Sequence, residues 1–290
     1  MKVVRGLSEL EARPRAVALG TFDGVHLGHR RVLAAALAAG PALAPTVVSF
    51  WPHPRTVLGN EVRLLTTLER RLELLAEAGV GETCVVEFTP ELAATEPEAF
   101  VEDLLRPLGT ELVVAGENFR FGRGRRGDLD TFEELGLAVE RVELVPGISS
   151  TAIREQLGEG EVDGAALLLG RPAEVEGTVV SGDARGGTLG YPTANLRVEP
   201  DLLVPAYGIY AGWAAGHRAA VSIGTNPHYG GSERRVEAFL LEFEGDLYGQ
   251  RLTVELWRRL REERAFGSEE ELVAQITRDV EDTRSAERPV

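Results

Sequence analysis

Apolar positions follow two rhythms along this chain, and the change falls near residue 171. In the first part, short unbroken apolar runs alternate with longer stretches in which apolar residues return every three or four positions. The runs 16–19, 46–50, 83–88, 111–115 and 139–145 predict strands. The stretches 30–39, 67–78, 97–108 and 130–135 predict amphipathic helices. Strand–helix alternation of this kind specifies a parallel sheet covered on both faces, an α/β fold. Two further helices are expected over 149–157 and 161–169, with Ser149 or Ser150 as N-cap. Gly170-Arg171-Pro172 ends the region.

Residues 173–257 are rich in glycine and carry short alternating runs at 175–180, 208–214, 219–223, 236–243 and 252–256. Turn signals separate them, and no helical period intervenes. That pattern predicts an antiparallel barrel or sandwich. An amphipathic helix closes the chain over 268–280, with Ser268 and Glu271 spaced as a capping box. Residues 285–290 are expected to fray. Two domains are therefore expected, 1–170 and 171–290.

Composition narrows the classes of partner. The 290 residues are 43% hydrophobic, ordinary for a packed chain, and carry a net charge of −15. A surface so acidic opposes polyanions, so neither nucleic acid nor an anionic membrane is an expected partner. An anionic small molecule still binds where glycines, helix ends and arginines reverse the local field. Cys84 is the single cysteine. It lies in an apolar run, where an inert buried thiol is expected, and it permits no intrachain disulfide. A reducing cytoplasm suits that inventory. The first residues lack the apolar core of a signal peptide, and no window of about 18 apolar residues predicts a membrane span.

The chemistry starts at Gly20-Thr21-Phe22-Asp23-Gly24-Val25-His26-Leu27-Gly28-His29, between a predicted strand and a predicted helix. A strand-to-helix turn presents backbone N–H groups and a positive helix end to a phosphate. Imidazoles there can donate hydrogen bonds to a phosphoryl group whose charge is rising. The turn points to chemistry on a nucleoside triphosphate, with Gly20, Thr21, Phe22, Gly24, His26 and His29 as candidates. Trp51–Arg55 and Gly116–Asp128 also follow predicted strands directly. Ligands in such sheets bind beyond the carboxyl ends of the strands, so the three loops are expected to converge.

Five further motifs follow in order: Phe50-Trp51-Pro52-His53-Pro54-Arg55, Gly116-Glu117-Asn118-Phe119-Arg120-Phe121-Gly122, Ile148-Ser149-Ser150-Thr151-Ala152-Ile153-Arg154, Gly190-Tyr191-Pro192-Thr193-Ala194-Asn195 and Asp246-Leu247-Tyr248-Gly249. With the histidine turn, they resemble the prokaryotic bifunctional riboflavin kinase/FMN adenylyltransferases (FAD synthetases) over essentially the whole chain. The resemblance implies a Rossmann-like nucleotidyltransferase followed by a riboflavin kinase barrel. In the first, the FMN phosphate attacks the α-phosphorus of ATP and pyrophosphate leaves. His26 and His29 resemble the family's phosphate-binding pair. Ser150, Thr151 and Arg154 resemble its second phosphate element. His53, stiffened between prolines, is expected to face the flavin or the ATP. Asn118 is expected to recognise adenine or flavin, a choice the residues leave open. Arg120, Arg123, Arg125 and Arg126 form a basic loop suited to recruiting phosphates.

In the second half the resemblance implies transfer of the γ-phosphoryl group of ATP to the 5′-hydroxyl of riboflavin. The loop from Gly182 to Gly190 is expected to cradle phosphates with its N–H groups. Thr193 and Asn195 inherit the roles of Mg²⁺ and nucleotide ligands, and Glu237 aligns with the catalytic base. Arg261 and Phe266 are expected on the flavin side, although core packing and a solvated helix face explain them nearly as well. The turn Gly224-Thr225-Asn226-Pro227 is expected near substrate. Two departures stand out: Gly187 where an arginine is expected, and His228-Tyr229 in place of a threonine–phenylalanine pair. A non-catalytic flavin-binding second half is the alternative. An adenylyl- or cytidylyltransferase for another phosphorylated metabolite, suggested by the histidine turn alone, leaves the barrel unexplained.

Overall fold

A computed structural model describes residues 1–6, 9–11, 13–182, 190–225 and 234–290 of the chain. Its contacts gather into two compact units, Met1–Val62 with Thr66–Ile148, and Arg63–Leu65 with Ser149–Val290. The helices between 150 and 169 therefore group with the second unit, although the hydrophobic rhythm changes only at 171. Ile153, Leu157, Val162, Ala165 and Leu169 explain it, because all five join the apolar cluster of the second unit.

The first unit is built on β1 (Lys2–Val4), β2 (Arg15–Leu19), β3 (Ala44–Trp51), β4 (Glu82–Glu87), β5 (Thr110–Gly116) and β6 (Ala138–Val142). They pair in the order β1-β4-β3-β2-β5-β6, every pair parallel. Helices α1 (Leu27–Ala38), α2 (Pro54–Val57), α3 (Leu68–Glu77), α4 (Pro90–Ala93), α5 (Pro97–Phe100) and α6 (Leu129–Glu134) accompany them. The two-residue period of the strands sorts the core. Val17, Leu19, Val48, Phe50, Val113 and Ala115 join Phe100, Leu105 and Phe132 in one cluster. Ala18, Val47 and Val114 join Val32, Leu33, Leu74 and Leu75 in another.

Three expectations need adjustment here. The single helix expected over 97–108 is α5 followed by a wider π-helical turn, Val101–Leu105, closed by Arg106 N–H on the Val101 carbonyl. The last strand stops at Val142 rather than 145, ahead of a turn with Gly147 at φ +76°. β1 was not expected, because three residues are too few to show a period.

At the amino ends of these strands, Arg15 is wholly buried. Its Nε donates to Glu82 Oε1 at 3.0 Å, and its Nη1 donates to the Leu108 carbonyl at 2.6 Å. Arg13 and Thr46 also donate to the Glu82 carboxylate. Burial alone would raise the Glu82 pKa, but these donors, Arg15 foremost, hold it below the ordinary carboxylate value.

The second unit contains α7 (Ser150–Glu159), α8 (Val162–Leu169), β7 (Ala173–Val180), β8 (Ala194–Arg197), β9 (Gly208–Ala214), β10 (His217–Thr225), β11 (Arg234–Leu240), β12 (Arg251–Arg261) and α9 (Glu269–Ser285). The six strands close into an antiparallel barrel in the order β10-β11-β8-β7-β12-β9. Closure leaves no edge strand. Val221, Ile223, Val236, Ala238, Val254 and Leu256 are fully buried in it. β8 was missed because its apolar content is Ala194 and Leu196 alone.

The expected fraying of 285–290 is corrected. The helix runs to Ser285, and Ala286 is buried with Ala211 and Trp257. Arg218 donates to the carbonyls of Thr283 and Ala286, and Arg288 pairs with Glu255 at 2.8 Å.

Glu82→Gln leaves the buried Arg15 without a charge partner. The expected loss is about 3–5 kcal/mol from the unfolding free energy of the first unit, read by urea denaturation. Because the folded pKa of Glu82 is lowered, its contribution is complete above the unfolded value and fades as pH falls through the folded one. The variant should lack that acid-side loss, and a midpoint equal to that of the parent protein contradicts the assignment.

Candidate functional site

In the first unit the candidate residues gather at the carboxyl ends of the strands. β2 lies between β3 and β5, so successive strands depart in opposite directions at this point. That is where an open α/β sheet leaves a crevice. The residues after β2 form a strained turn, with Phe22, Gly24 and Val25 at φ +51°, +82° and +39°. Positive φ in non-glycine residues persists only when the surroundings over-determine it. Phe22 and Val25 are buried, and the Gly20 N–H donates to Val48 O. Ser49 Oγ donates to the Thr21 carbonyl at 3.1 Å.

Asp23, which was not among the expected site residues, is the anchor. Its carboxylate is 1% exposed and accepts from Thr66 N–H at 3.2 Å and Thr66 Oγ at 3.3 Å. Arg71, also fully buried, reaches the same oxygen at 3.4 Å and stacks over Trp51. The turn is thereby tied to the start of α3 and to the end of β3. Partners 43 and 48 positions away leave no local sequence signal.

The turn delivers His26 to the N-cap of α1, where His26 Nδ1 accepts from the His29 N–H at 3.2 Å. The two imidazoles stack, with centroids 3.6 Å apart and planes at 15°. Phe22 meets His29 edge-on at 5.3 Å. Gly28 makes the stack possible: a Cβ there would lie 3.1 Å from His26 Cε1 and 3.2 Å from Nδ1. The first turn of α1 carries no acid, so its positive end is open to an anion. Neutral His26 must keep its proton on Nε2, because Nδ1 is the acceptor of the cap.

His53 is buried, not on the surface, and caps α2 by accepting the Arg55 N–H at Nδ1. Asn118 is exposed beyond β5. The basic loop is largely neutralised locally, since Arg120 pairs with Asp128, and Arg123 and Arg126 with Glu96. A cavity of about 900 Å³ opens at the opposite, amino-terminal rim of the sheet. Among the described residues no histidine, hydroxyl or thiol lines it. Burial pushes the Cys84 thiol up to about 11, which leaves it inert as expected.

In the second unit, Ser149 caps α7 by accepting the Ala152 N–H, and the Arg154 Nε donates to the Arg63 carbonyl. Ser150 and Thr151 occupy the first turn of the same helix. They and the histidines belong to different units.

The barrel ladder supplies the second constellation. β8 and β11 pair with Glu237 opposite Asn195 and Val236 opposite Leu196. Val236 and Leu196 point into the core, so Glu237 and Asn195 share the outer face. Thr193 Oγ1 donates to Glu237 Oε2 at 3.4 Å, and Arg235 Nη1 to Oε1 at 3.2 Å. The Asn195 amide nitrogen reaches the Thr193 carbonyl, while its Oδ1 is buried with no hydrogen-bond partner among the described residues. A buried acceptor without a donor is costly, and a hard cation beside Thr193 would satisfy it. Among the described residues no cluster of three or more histidines, cysteines or acids forms a metal site. The fit to a cation therefore rests on a hydroxyl and an amide. Gly190, at φ +85°, leads into this segment.

Arg261 is engaged by Asp279 through Nε and Nη2, the latter at 2.7 Å, and stacks over Phe266. It fastens α9 to β12, as the packing explanation anticipates. The loop interior 183–189, with Arg185 and Gly187, lies outside the described residues, as do Asn226, Pro227, His228 and Tyr229.

Two family models match different stretches of the chain. One described as FAD synthetase matches residues 8–154, and one described as riboflavin kinase matches 169–286. Among curated proteins, the bifunctional riboflavin kinase/FMN adenylyltransferase of Listeria monocytogenes is 38% identical, covering 93% of this chain and 92% of the relative. Proteins with the same description from Escherichia coli and Bacillus subtilis are 35% and 34% identical, covering 96% and 93% of this chain and 96% and 91% of theirs. A solved structure titled as a macrolide-efflux protein from Streptococcus pneumoniae superposes with a TM-score of 0.89 at 29% identity, covering 98% of this chain and 99% of that one. Among the described residues no helix is long and apolar enough to cross a membrane.

The two capping histidines give a spectroscopic test. Nitrogen-15 correlation spectra of the neutral side chains should show His26 and His53 with protonated Nε2 and bare Nδ1. A protonated Nδ1 in either contradicts the caps.

Proposed function

This chain belongs to the bifunctional riboflavin kinase/FMN adenylyltransferase family, and from that premise we propose how its residues divide the two reactions. The enzyme phosphorylates riboflavin to FMN and adenylylates FMN to FAD, with ATP as co-substrate of both steps. The functional boundary is set near residue 171, with adenylyl transfer assigned to 1–170 and phosphorylation to 171–290.

Adenylyl transfer joins two anions, so the site must offset their repulsion and hold them in line. An oxygen of the FMN phosphate attacks the α-phosphorus of ATP, and the bond to the bridging oxygen breaks to release pyrophosphate. His26 and His29 donate hydrogen bonds to the phosphates. With Nδ1 accepting at the cap, Nε2 is the nitrogen of neutral His26 that would carry the donated proton. The open N-terminus of α1 and the turn of Gly20, Thr21, Phe22 and Gly24 supply backbone donors. Ser150, Thr151 and Arg154 are assigned to phosphate binding. His53 and Asn118 are assigned to the flavin side.

In the barrel, Glu237 accepts the proton of the riboflavin 5′-hydroxyl as that oxygen bonds to the γ-phosphorus and ADP leaves. Arg235 and Thr193 fix its two oxygens, so the carboxylate is held before substrate arrives. Mg²⁺ would be held by Thr193 Oγ1 and Asn195 Oδ1 and would supply charge neutralisation at the phosphates. Gly182 and Gly190 flank the phosphate loop, and Arg261 and Phe266 are assigned to the flavin side. The observation that carries the kinase assignment is the ladder step placing Asn195, Thr193 and Glu237 on one outer face. A merely flavin-binding module has no need of it. A cytoplasmic location and small-molecule partners without nucleic acid complete the proposal, on the acidic charge and the lone buried cysteine.

Chromatography of flavins formed from riboflavin, ATP and Mg²⁺ tests the division. Glu237→Ala should lower FMN formation by about 10²–10⁴-fold and leave conversion of supplied FMN to FAD intact. His29→Ala should do the reverse, by about 10²–10³-fold. Loss of both activities in either variant contradicts two separate sites.

A further inference from the structure

Gly182 stands two residues beyond β7, whose Val180 pairs with Asn195 of β8. A Cβ at position 182 would lie 2.3 Å from Asn195 Nδ2, 2.4 Å from Cγ and 2.6 Å from Oδ1. Real Cβ atoms do not approach other atoms so closely, and the whole amide is involved rather than one tip. The backbone of Gly182 is not in the left-handed region that glycine favours. Its φ is open to any residue, and the nearest obstacle to a side chain is the Asn195 amide.

That amide has little freedom to give way. Asn195 is 9% exposed and sits in a strand paired on both sides. Its nitrogen is held by the Thr193 carbonyl at 3.3 Å, with Thr193 Oγ1 at 3.5 Å. Rotating the amide away from a new methyl group would break that contact and turn Oδ1 from its present direction. Thr193 Oγ1 in turn donates to Glu237 Oε2. The contacts thus run in series from position 182 through Asn195 and Thr193 to the proton acceptor.

We infer that Gly182 is a positioning residue of the kinase reaction: its missing side chain is what lets the Asn195 amide stand where it serves the phosphates of ATP. This rests on the kinase reading given above. It assigns Gly182 a role separate from offering its own N–H to a phosphate, because the effect of a side chain passes through Asn195.

A double-mutant cycle in the full-length enzyme tests it, with Gly182→Ala, Asn195→Ala and both together. Displacement of a reacting group by about 1 Å costs about 10²-fold, so Gly182→Ala should lose about that much riboflavin kinase kcat. Its half-saturating Mg²⁺ concentration should rise, and the KM for riboflavin and the rate of FMN adenylylation should not change. In the Asn195→Ala background there is no amide to displace, so adding Gly182→Ala should cost nothing further. The barrel's thermal midpoint, read from tryptophan fluorescence, should match between Asn195→Ala and the double variant. Unchanged kinase activity in Gly182→Ala overturns the inference, as do losses that multiply in the double variant or a fold defect in both backgrounds. Absence of FMN formation by the parent enzyme would instead overturn the kinase reading itself.

Discussion

One ladder step in the barrel, Asn195 opposite Glu237, decides where the second unit can do chemistry. Side chains on a strand alternate between faces, so a slip of one residue would carry Glu237 into the core and Val236 to the surface. Burial of Val236 and Ala238 on β11 against Leu196 on β8 forbids the slip. Closure strengthens the constraint, because each strand of the ring has a partner on both sides and none is free to slide. The apolar interior thus fixes the placement of a hydroxyl, an amide and a carboxylate on the outside.

The first unit solves a similar problem without a ladder. Its phosphate turn follows β2 as a strained loop, and strain must be held by something rigid. The Asp23 carboxylate, buried with Arg71 and Thr66, supplies the hold. Buried ion pairs add little net stability, but they penalise every arrangement that separates the charges. Here the penalised arrangements include those in which His26 leaves the N-cap of α1. On the proposed assignment the two units would treat phosphates by different means: a helix end with stacked imidazoles in one, and a hydroxyl and an amide beside a carboxylate in the other.

Much of this was legible in the sequence, for identifiable reasons. The parallel sheet announced itself because strands buried on both faces read as unbroken apolar runs. The Ser149 and Ser268 caps and the 208–214 strand were visible because their signals are local. Segments such as β1 and β8 were too short or too polar to show a period. The contact grouping of α7 and α8 with the barrel was also hidden, since an amphipathic helix does not say which core it covers. Asp23, Arg71 and Arg235 matter through partners that composition cannot reveal. Arg261 also fastens the terminal helix through Asp279, a contact between positions 18 apart that no local pattern shows. The docked tail at Ala286 and Arg288 likewise depends on distant Trp257 and Glu255.

One chain performs a phosphoryl transfer and an adenylyl transfer, each leaving a different by-product. Phosphorus-31 NMR of the purified enzyme converting riboflavin and excess ATP fully to FAD reads both by-products together. One ADP and one pyrophosphate are expected for each FAD formed. FAD appearing without ADP, or AMP accumulating in place of ADP, would contradict it.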